Sequence, residues 1–300
     1  MTPAAIETRD LTKFYGKTKG IEGVDLQVEA GEVFGFLGPN GSGKSTTIRV
    51  LLDLIRPTRG SARILGLDSR ADSLEIRRRI RYLPAEMALP GQMTGQQAID
   101  MFDEIRGVTT KKMVMAMADR LDLDLGRRVG AYSTGNRRKV GLVHAFADHP
   151  EVIVLDEPTS GLDPLIRQEF YGMVAEARAA GQTVFLSSHN LPEVERVADR
   201  VAIVRDGELV AIADIDELKG KALRRLEIRF AEPVAASELA TVESVIEHET
   251  SDGDRVHIAT VRGSVDALVK TLARFEVTSL ITHEAGLEEI FLDYYRGGEE

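Results

Sequence analysis

"GPNGSGKST", residues 38–46, fits Gly-x-x-x-x-Gly-Lys-Ser/Thr, with the apolar run "EVFGFL" before it and the helical pattern "TTIRVLLDLI" after it. The order strand, glycine turn, helix decides the fold. It predicts a loop whose backbone N–H groups turn inward around phosphate oxygens. Gly38, Gly41 and Gly43 supply the backbone freedom, Pro39, Asn40 and Ser42 complete the cradle, and Thr46 follows in the helix. Lys44 adds a point charge at the β and γ phosphates, and Ser45 offers a hydroxyl to magnesium. The expected ligands are ATP and Mg2+.

Outward from this loop, short β-rich runs alternate with helical patterns up to about residue 210, as in a mostly parallel sheet covered by helices. "GEVFGFLG", "EVIVLDE" and "QTVFLSSH" read as buried strands, and in such sheets a ligand sits beyond the carboxyl ends of the strands. "VIVLDE", residues 152–157, ends in two acids. Asp156 is placed to hold the magnesium shell, and Glu157 to polarise a water toward the γ-phosphate, a general-base role typically worth about 10²–10⁴ in rate. His189 follows "TVFLSS" at another strand end. An imidazole there can hydrogen-bond a γ-phosphate oxygen through one ring nitrogen while a neighbour fixes the other. His144 and His149 have no such placement.

The alternation breaks from about 86 to 145, where "GQQAIDMFDEIRG" and "TKKMVMAMADRLDL" read as successive helices of an insert. Met113, Met115 and Met117, spaced by two, spread around their helix and suit ordinary packing. "YSTGNRRKVGL", residues 132–142, sets Arg137, Arg138 and Lys139 in the first turn of a helix, where the dipole is already positive. A docked anion would offset that cost. "VAIVRDGELVAIA" is a hairpin signal around Asp206-Gly207 and closes the first domain near residue 220. Beyond it, "LRRLEIRF", "VHIATV" and "EVTSLITH" alternate with helical stretches ending in "GLEEIFLDYYR", which predicts a small two-layer α+β domain over 221–300.

The formal charge of −10 argues against a partner of phosphate-backbone type, so no nucleic acid is expected. Residues 221–300 hold most of that acidity, with 9 Lys and Arg against 16 Asp and Glu. The absence of cysteine excludes disulfides, thiolate metal sites and cysteine catalysis. No apolar stretch approaches the roughly 18–20 residues that span a bilayer, and "MTPAAIETRD" lacks the layout of a secretory signal. The chain is expected to be soluble and to stay on the side where it is made.

Together these residues resemble the nucleotide-binding subunit of an ABC transporter across residues 1–220. "YSTGNRRK" is similar to the family's signature loop, LSGGQ, with Ser133 and Gly135 kept and Asn136 in the last place. The resemblance implies that the anion at this helix is the γ-phosphate of ATP held by a second copy, so that a homodimer sandwiches two Mg-ATP. It further implies that "SGLD", residues 160–163, communicates between the copies through Asp163, and that His189 is the switch histidine. Tyr15 in "LTKFYG" is the implied adenine-stacking aromatic, with Phe14 the alternative. In "YLPAEMAL" the family carries Gln or Glu where Ala85 stands; Glu86 beside it is either a metal contact or a solvated loop acid.

The implied fold is α/β, a P-loop ATPase core of ABC type with a helical insert, followed by the small α+β C-terminal domain. "STGNRRKVGL", "DEPTSGLDPL" and the tail "LEEIFLDYY" are most similar to bacterial ATPase subunits of type 2 ABC exporters, including multidrug and antibiotic exporters. That subgroup implies a separate integral membrane permease as partner, and a peripheral position on the cytoplasmic face of the inner membrane. An importer ATPase is the alternative. A soluble ABC ATPase of translation or DNA repair is more remote, because the chain has one phosphate loop and no sustained heptads.

Overall fold

The computed structural model describes residues 4–221 and 223–284, and the chain divides into two compact units, Met1–Ile212 and Ala213–Glu300. In the first unit, β1 (Ala4–Tyr15) and β2 (Thr18–Glu29) pair antiparallel around a turn at Gly16, whose φ of 61° suits glycine. Along β2, Ile21, Val24, Leu26 and Val28 are buried while Asp25, Gln27 and Glu29 face water, the pattern of a sheet with one wet face.

β3 (Val33–Leu37) then feeds the phosphate loop and α1 (Lys44–Leu51). β4 (Arg59–Ile64) and β5 (Leu67–Asp68) complete a four-stranded antiparallel sheet of order β2-β1-β4-β5. α2 (Ser73–Arg79) leads into β6 (Ile80–Leu83). The expectation of one mostly parallel sheet is therefore corrected to two sheets. Residues 4–29 form a long hairpin whose half-wet strands pair with each other and with β4, leaving the fully apolar strands to the parallel layer.

The helical insert holds α3 (Gly95–Arg106), α4 (Lys111–Arg120) and α5 (Thr134–Phe146). Thr94 and Gln97 form a capping box that starts α3, and Ser133 caps α5. β7 (Val152–Asp156), α6 (Pro164–Ala179), β8 (Thr183–Ser188), α7 (Leu191–Val197), β9 (Arg200–Arg205) and β10 (Glu208–Asp214) follow. Asp206 and Gly207 both have positive φ, as a tight two-residue hairpin between β9 and β10 requires.

The second sheet has the order β10-β9-β3-β8-β7-β6, parallel from β9 to β6. Phe34, Phe36, Val154 and Phe185 of this layer share one core with Ile6, Leu11 and Ile64 of the first sheet and Ile48 of α1. Because β3, β8 and β7 are neighbours and parallel, their carboxyl ends bring residues 38–44, His189 and Asp156-Glu157 to one crevice. Among the described residues no helix is long and apolar enough to cross a membrane.

The second unit runs α8 (Ile215–Lys221), β11 (Leu223–Phe230), α9 (Ala236–Ala240), β12 (Val245–Ser251), β13 (Val256–Arg262), α10 (Asp266–Leu272) and β14 (Val277–Glu284). Its antiparallel sheet has the order β12-β13-β11-β14, a βαββαβ arrangement, with Ile228, Phe230, Leu239, Val261 and Leu268 in its core. The helix expected in "GLEEIFLDYYR" lies outside the described residues.

Candidate active site

Two of the loop's glycines, Gly38 and Gly43, are fixed by what surrounds them. A Cβ on Gly38 would stand 2.4 Å from Val204 O, and one on Gly43 would stand 2.6 Å from Ile21 Cγ2 and 2.8 Å from Gly20 O. Gly43, at φ 102°, begins α1, and Gly41 lies at φ 84°. Lys44 is the first residue of that helix and is only 5% exposed. Its ammonium donates to Gly38 O at 2.7 Å and Pro39 O at 3.1 Å and pairs with Glu157 Oε1 at 3.2 Å.

Glu157 is held from several sides. His189 Nδ1 lies 2.7 Å from its Oε2. Its N–H donates to Ser187 O at 3.2 Å and to Ser187 Oγ at 3.1 Å. Its backbone is left-handed, φ 50°, a conformation a non-glycine residue adopts at a cost of about 1–2 kcal/mol. Ser187 Oγ in turn donates to Asp156 Oδ1 at 2.6 Å. Asp156 is fully buried, and its Oδ2 has no hydrogen-bond partner.

Glu193, which the sequence reading missed, accepts from Ser188 Oγ at 2.7 Å directly beside this group. Burial pushes its carboxyl above the ordinary carboxylate value. The sequence signal was its place in the first turn of α7, behind the Asn190 cap.

Tyr15, at the end of β1, is 47% exposed. Its ring edge lies against Gly20, where a Cβ would meet Tyr15 Cε2 at 2.9 Å and Thr46 Cγ2 at 3.3 Å. The ring is thus beside the start of α1, with Lys13 Nζ 5.3 Å from its centroid. Ser133 Oγ accepts from Asn136 N–H at 3.1 Å. Gly135 lies so close to Gly161 O that a Cβ would stand 2.8 Å away. Asp163 caps α6 by accepting from Ile166 N–H at 3.0 Å, which holds its carboxyl below the ordinary value.

The basic stretch of α5 differs from the sequence expectation: the helix begins at Thr134, behind the Ser133 cap, so Arg138 and Lys139 fall in its second turn rather than its first. Arg138 is buried: Nη1 donates to Pro84 O at 2.5 Å, and Nη2 to Glu157 O at 2.6 Å and Asp156 O at 3.4 Å. Burial pushes its guanidinium below the ordinary value, against the pull of the Asp156 and Glu157 carboxylates. Lys139, also buried, donates to Asp122 O at 3.3 Å. Two of the three cations therefore meet backbone carbonyls of their own chain, Arg138 at the ends of β6 and β7 and Lys139 just past the end of α4. Arg137 lines, together with Arg138, a 330 Å³ cavity that also borders Ala85, Glu86, Met87, Thr134 and Ser160. Neither Ser45 nor Asp156 lines that cavity.

A glycine cradle closed to a Cβ at Gly38 and Gly43, a buried ammonium and a buried carboxylate oxygen without a partner fit a Mg-nucleotide. Among the described residues no cluster of three or more acid or imidazole side chains could hold a metal by itself. A magnesium ion here would take most of its ligands from phosphate and water.

Fold and site thus define a phosphate-loop ATPase, and the model of the ABC transporter family matches residues 21–160. The chain belongs to the ABC transporter family, as one of its ATP-binding, ATP-hydrolysing subunits. It is 35% identical to the daunorubicin/doxorubicin resistance ATP-binding protein DrrA of Streptomyces peucetius, over 96% of this chain and 91% of that protein. It is 31% identical to the bacitracin transport ATP-binding protein BcrA of Bacillus licheniformis, over 98% of each. A solved structure of an ATP-binding subunit of an ABC transporter, 30% identical, superposes with a TM-score of 0.67 over 72% of this chain and 92% of its own.

Proposed function

We propose that this protein is the motor of a drug or antibiotic exporter: two copies close around two Mg-ATP and drive a separate membrane permease from the cytoplasmic face of the inner membrane. The observation that carries the chemistry is the seating of Glu157 between Lys44, at 3.2 Å, and His189, at 2.7 Å. The direction and cargo class rest on relatives named for daunorubicin/doxorubicin resistance and bacitracin transport, which match 96% and 98% of this chain. In this reading residues 1–220 form the nucleotide-binding domain and 221–300 an accessory domain.

Phosphate oxygens accept from the inward N–H groups of the loop and compete with Glu157 for the Lys44 ammonium. Glu157 then takes a proton from the attacking water, and His189 steadies its carboxylate and the γ-phosphate. Ser45 and Asp156 would hold a magnesium ion, whose positive charge would offset the negative charge of the phosphates. Tyr15 stacks on adenine. Ser133, Gly135 and Asn136 of one copy close on the γ-phosphate held by the other, and Asp163 lies in the loop that links the two sites.

Purification from native membranes in gentle detergent, with every co-purifying chain identified, tests this reading. A polytopic membrane chain in stoichiometric amount supports it. Recovery with ribosomes or DNA-repair proteins and no membrane partner overturns it.

A further inference from the structure

We propose that Arg138 is a positioning residue that holds Glu157 in its working orientation and couples it to the segment 84–86 that follows β6. The inference rests on the reading of Glu157 as the base that activates water. Glu157 lies in the left-handed region at φ 50°, a conformation that persists only where the surroundings enforce it. Its N–H side is pinned by Ser187 O and Oγ. On its carbonyl side Ser160 N–H closes the local turn at 3.2 Å, and Arg138 Nη2 reaches in from α5 at 2.6 Å. The two peptide planes that flank Glu157 fix where its carboxylate points, and that carboxylate meets Lys44 and His189.

The second arm of the same guanidinium holds Pro84 O at 2.5 Å, one residue before Ala85. A planar fork cannot turn toward one partner without turning away from the other. A shift of α5, or of the 84–86 segment, is therefore transmitted to the Glu157 carbonyl and from there to its carboxylate.

Arg106 shows what a tie without this role looks like. It reaches from α3 to Arg77 O at 2.8 Å, Arg78 O at 2.5 Å and Ile80 O at 3.2 Å, all where α2 passes into β6, and touches no residue of the crevice. It joins insert to core as Arg138 does, so it serves as the control.

Arg138→Lys keeps a cation but leaves one ammonium to serve two segments. In the full-length chain, kcat per nucleotide-binding site should fall about 10- to 100-fold, the rate equivalent of one charge-assisted hydrogen bond. KM for ATP should stay within about threefold, because Lys44 and its loop are untouched. With Glu157→Gln already in place, Arg138→Lys should change the residual turnover by less than about twofold, since no base remains to misplace. Arg106→Lys should lower the melting temperature and leave kcat per site unchanged.

If Arg138→Lys does not yield folded protein, Arg138→Gln, which removes the buried charge, carries the same expectations. Unchanged kcat per site in the variant that folds, or the same fold loss with and without Glu157→Gln, overturns the positioning role. Normal turnover in Glu157→Gln alone overturns instead the reading of Glu157 on which this rests.

Discussion

The phosphate loop and the second turn of α5 each bury a cation against Glu157, Lys44 at its carboxylate and Arg138 at its carbonyl. Lys44 finds its other acceptors, Gly38 and Pro39, within six residues along the chain. Arg138 finds Glu157 19 residues away and Pro84 54 residues away. The first cation belongs to a device built locally, and its role travels with the motif. The second acquires its role from packing, and identical chemistry at its position would mean something else on another surface.

The sharpest way to break this contrast is Lys44→Ala. A local phosphate device should lose turnover entirely and bind nucleotide weakly; normal ATP hydrolysis would contradict the loop's assignment. Next in size is the mixture of a Ser133→Arg subunit with a Lys44→Ala subunit. If the first turn of α5 works on nucleotide held by the other copy, mixed dimers keep one intact composite site. Equal mixing should then recover roughly a quarter of native turnover, where each variant alone has almost none. Full recovery, or none, would show that Ser133 does not act across the dimer.

Tyr15→Ala tests the rim of the loop. Loss of a stacking ring should raise KM for ATP about tenfold while kcat holds, in line with what base stacking contributes elsewhere. An unchanged KM would hand the role to Phe14.

The smallest effect is at the last turn of α5, where His144 packs on Phe102 with ring centroids 4.5 Å apart. Burial, with Arg106 nearby, holds His144 down at about 4. Its folded value lies below the unfolded value of about 6.5, so the unfolded chain gains the proton first as pH falls. The stability present above pH 6.5 is lost progressively toward pH 4, about 2 kcal/mol of it by pH 5. His144→Gln should flatten that slope and leave turnover per site at neutral pH unchanged. Melting temperatures of both proteins at pH 7 and pH 5 check this, and an equal drop in both would contradict it.

What the sequence made legible follows the same division. Lys44 could be read from the glycine-loop motif, and Asp156, Glu157 and His189 because each sits at the end of an apolar strand, and parallel strand ends converge. The hairpin at Asp206-Gly207 was equally local. The separate antiparallel sheet was not legible, because the half-buried pattern of β1 and β2 does not say which strands they pair with. Nor were the partners of Arg138 and Lys139, since periodicity marks a helix but not what its second turn is buried against. Glu193 went unread for a similar reason: its meaning depends on Ser188, which only the fold brings beside the crevice.

The measurement that tests the account most directly is made on Glu157→Gln in Mg-ATP, with light scattering for mass, quantification of the nucleotide retained and turnover followed in parallel. The account predicts a dimer holding uncleaved ATP, with turnover at least ~100-fold below the native protein, as loss of a general base requires. Normal turnover, or a chain that stays monomeric with ATP bound, would contradict it.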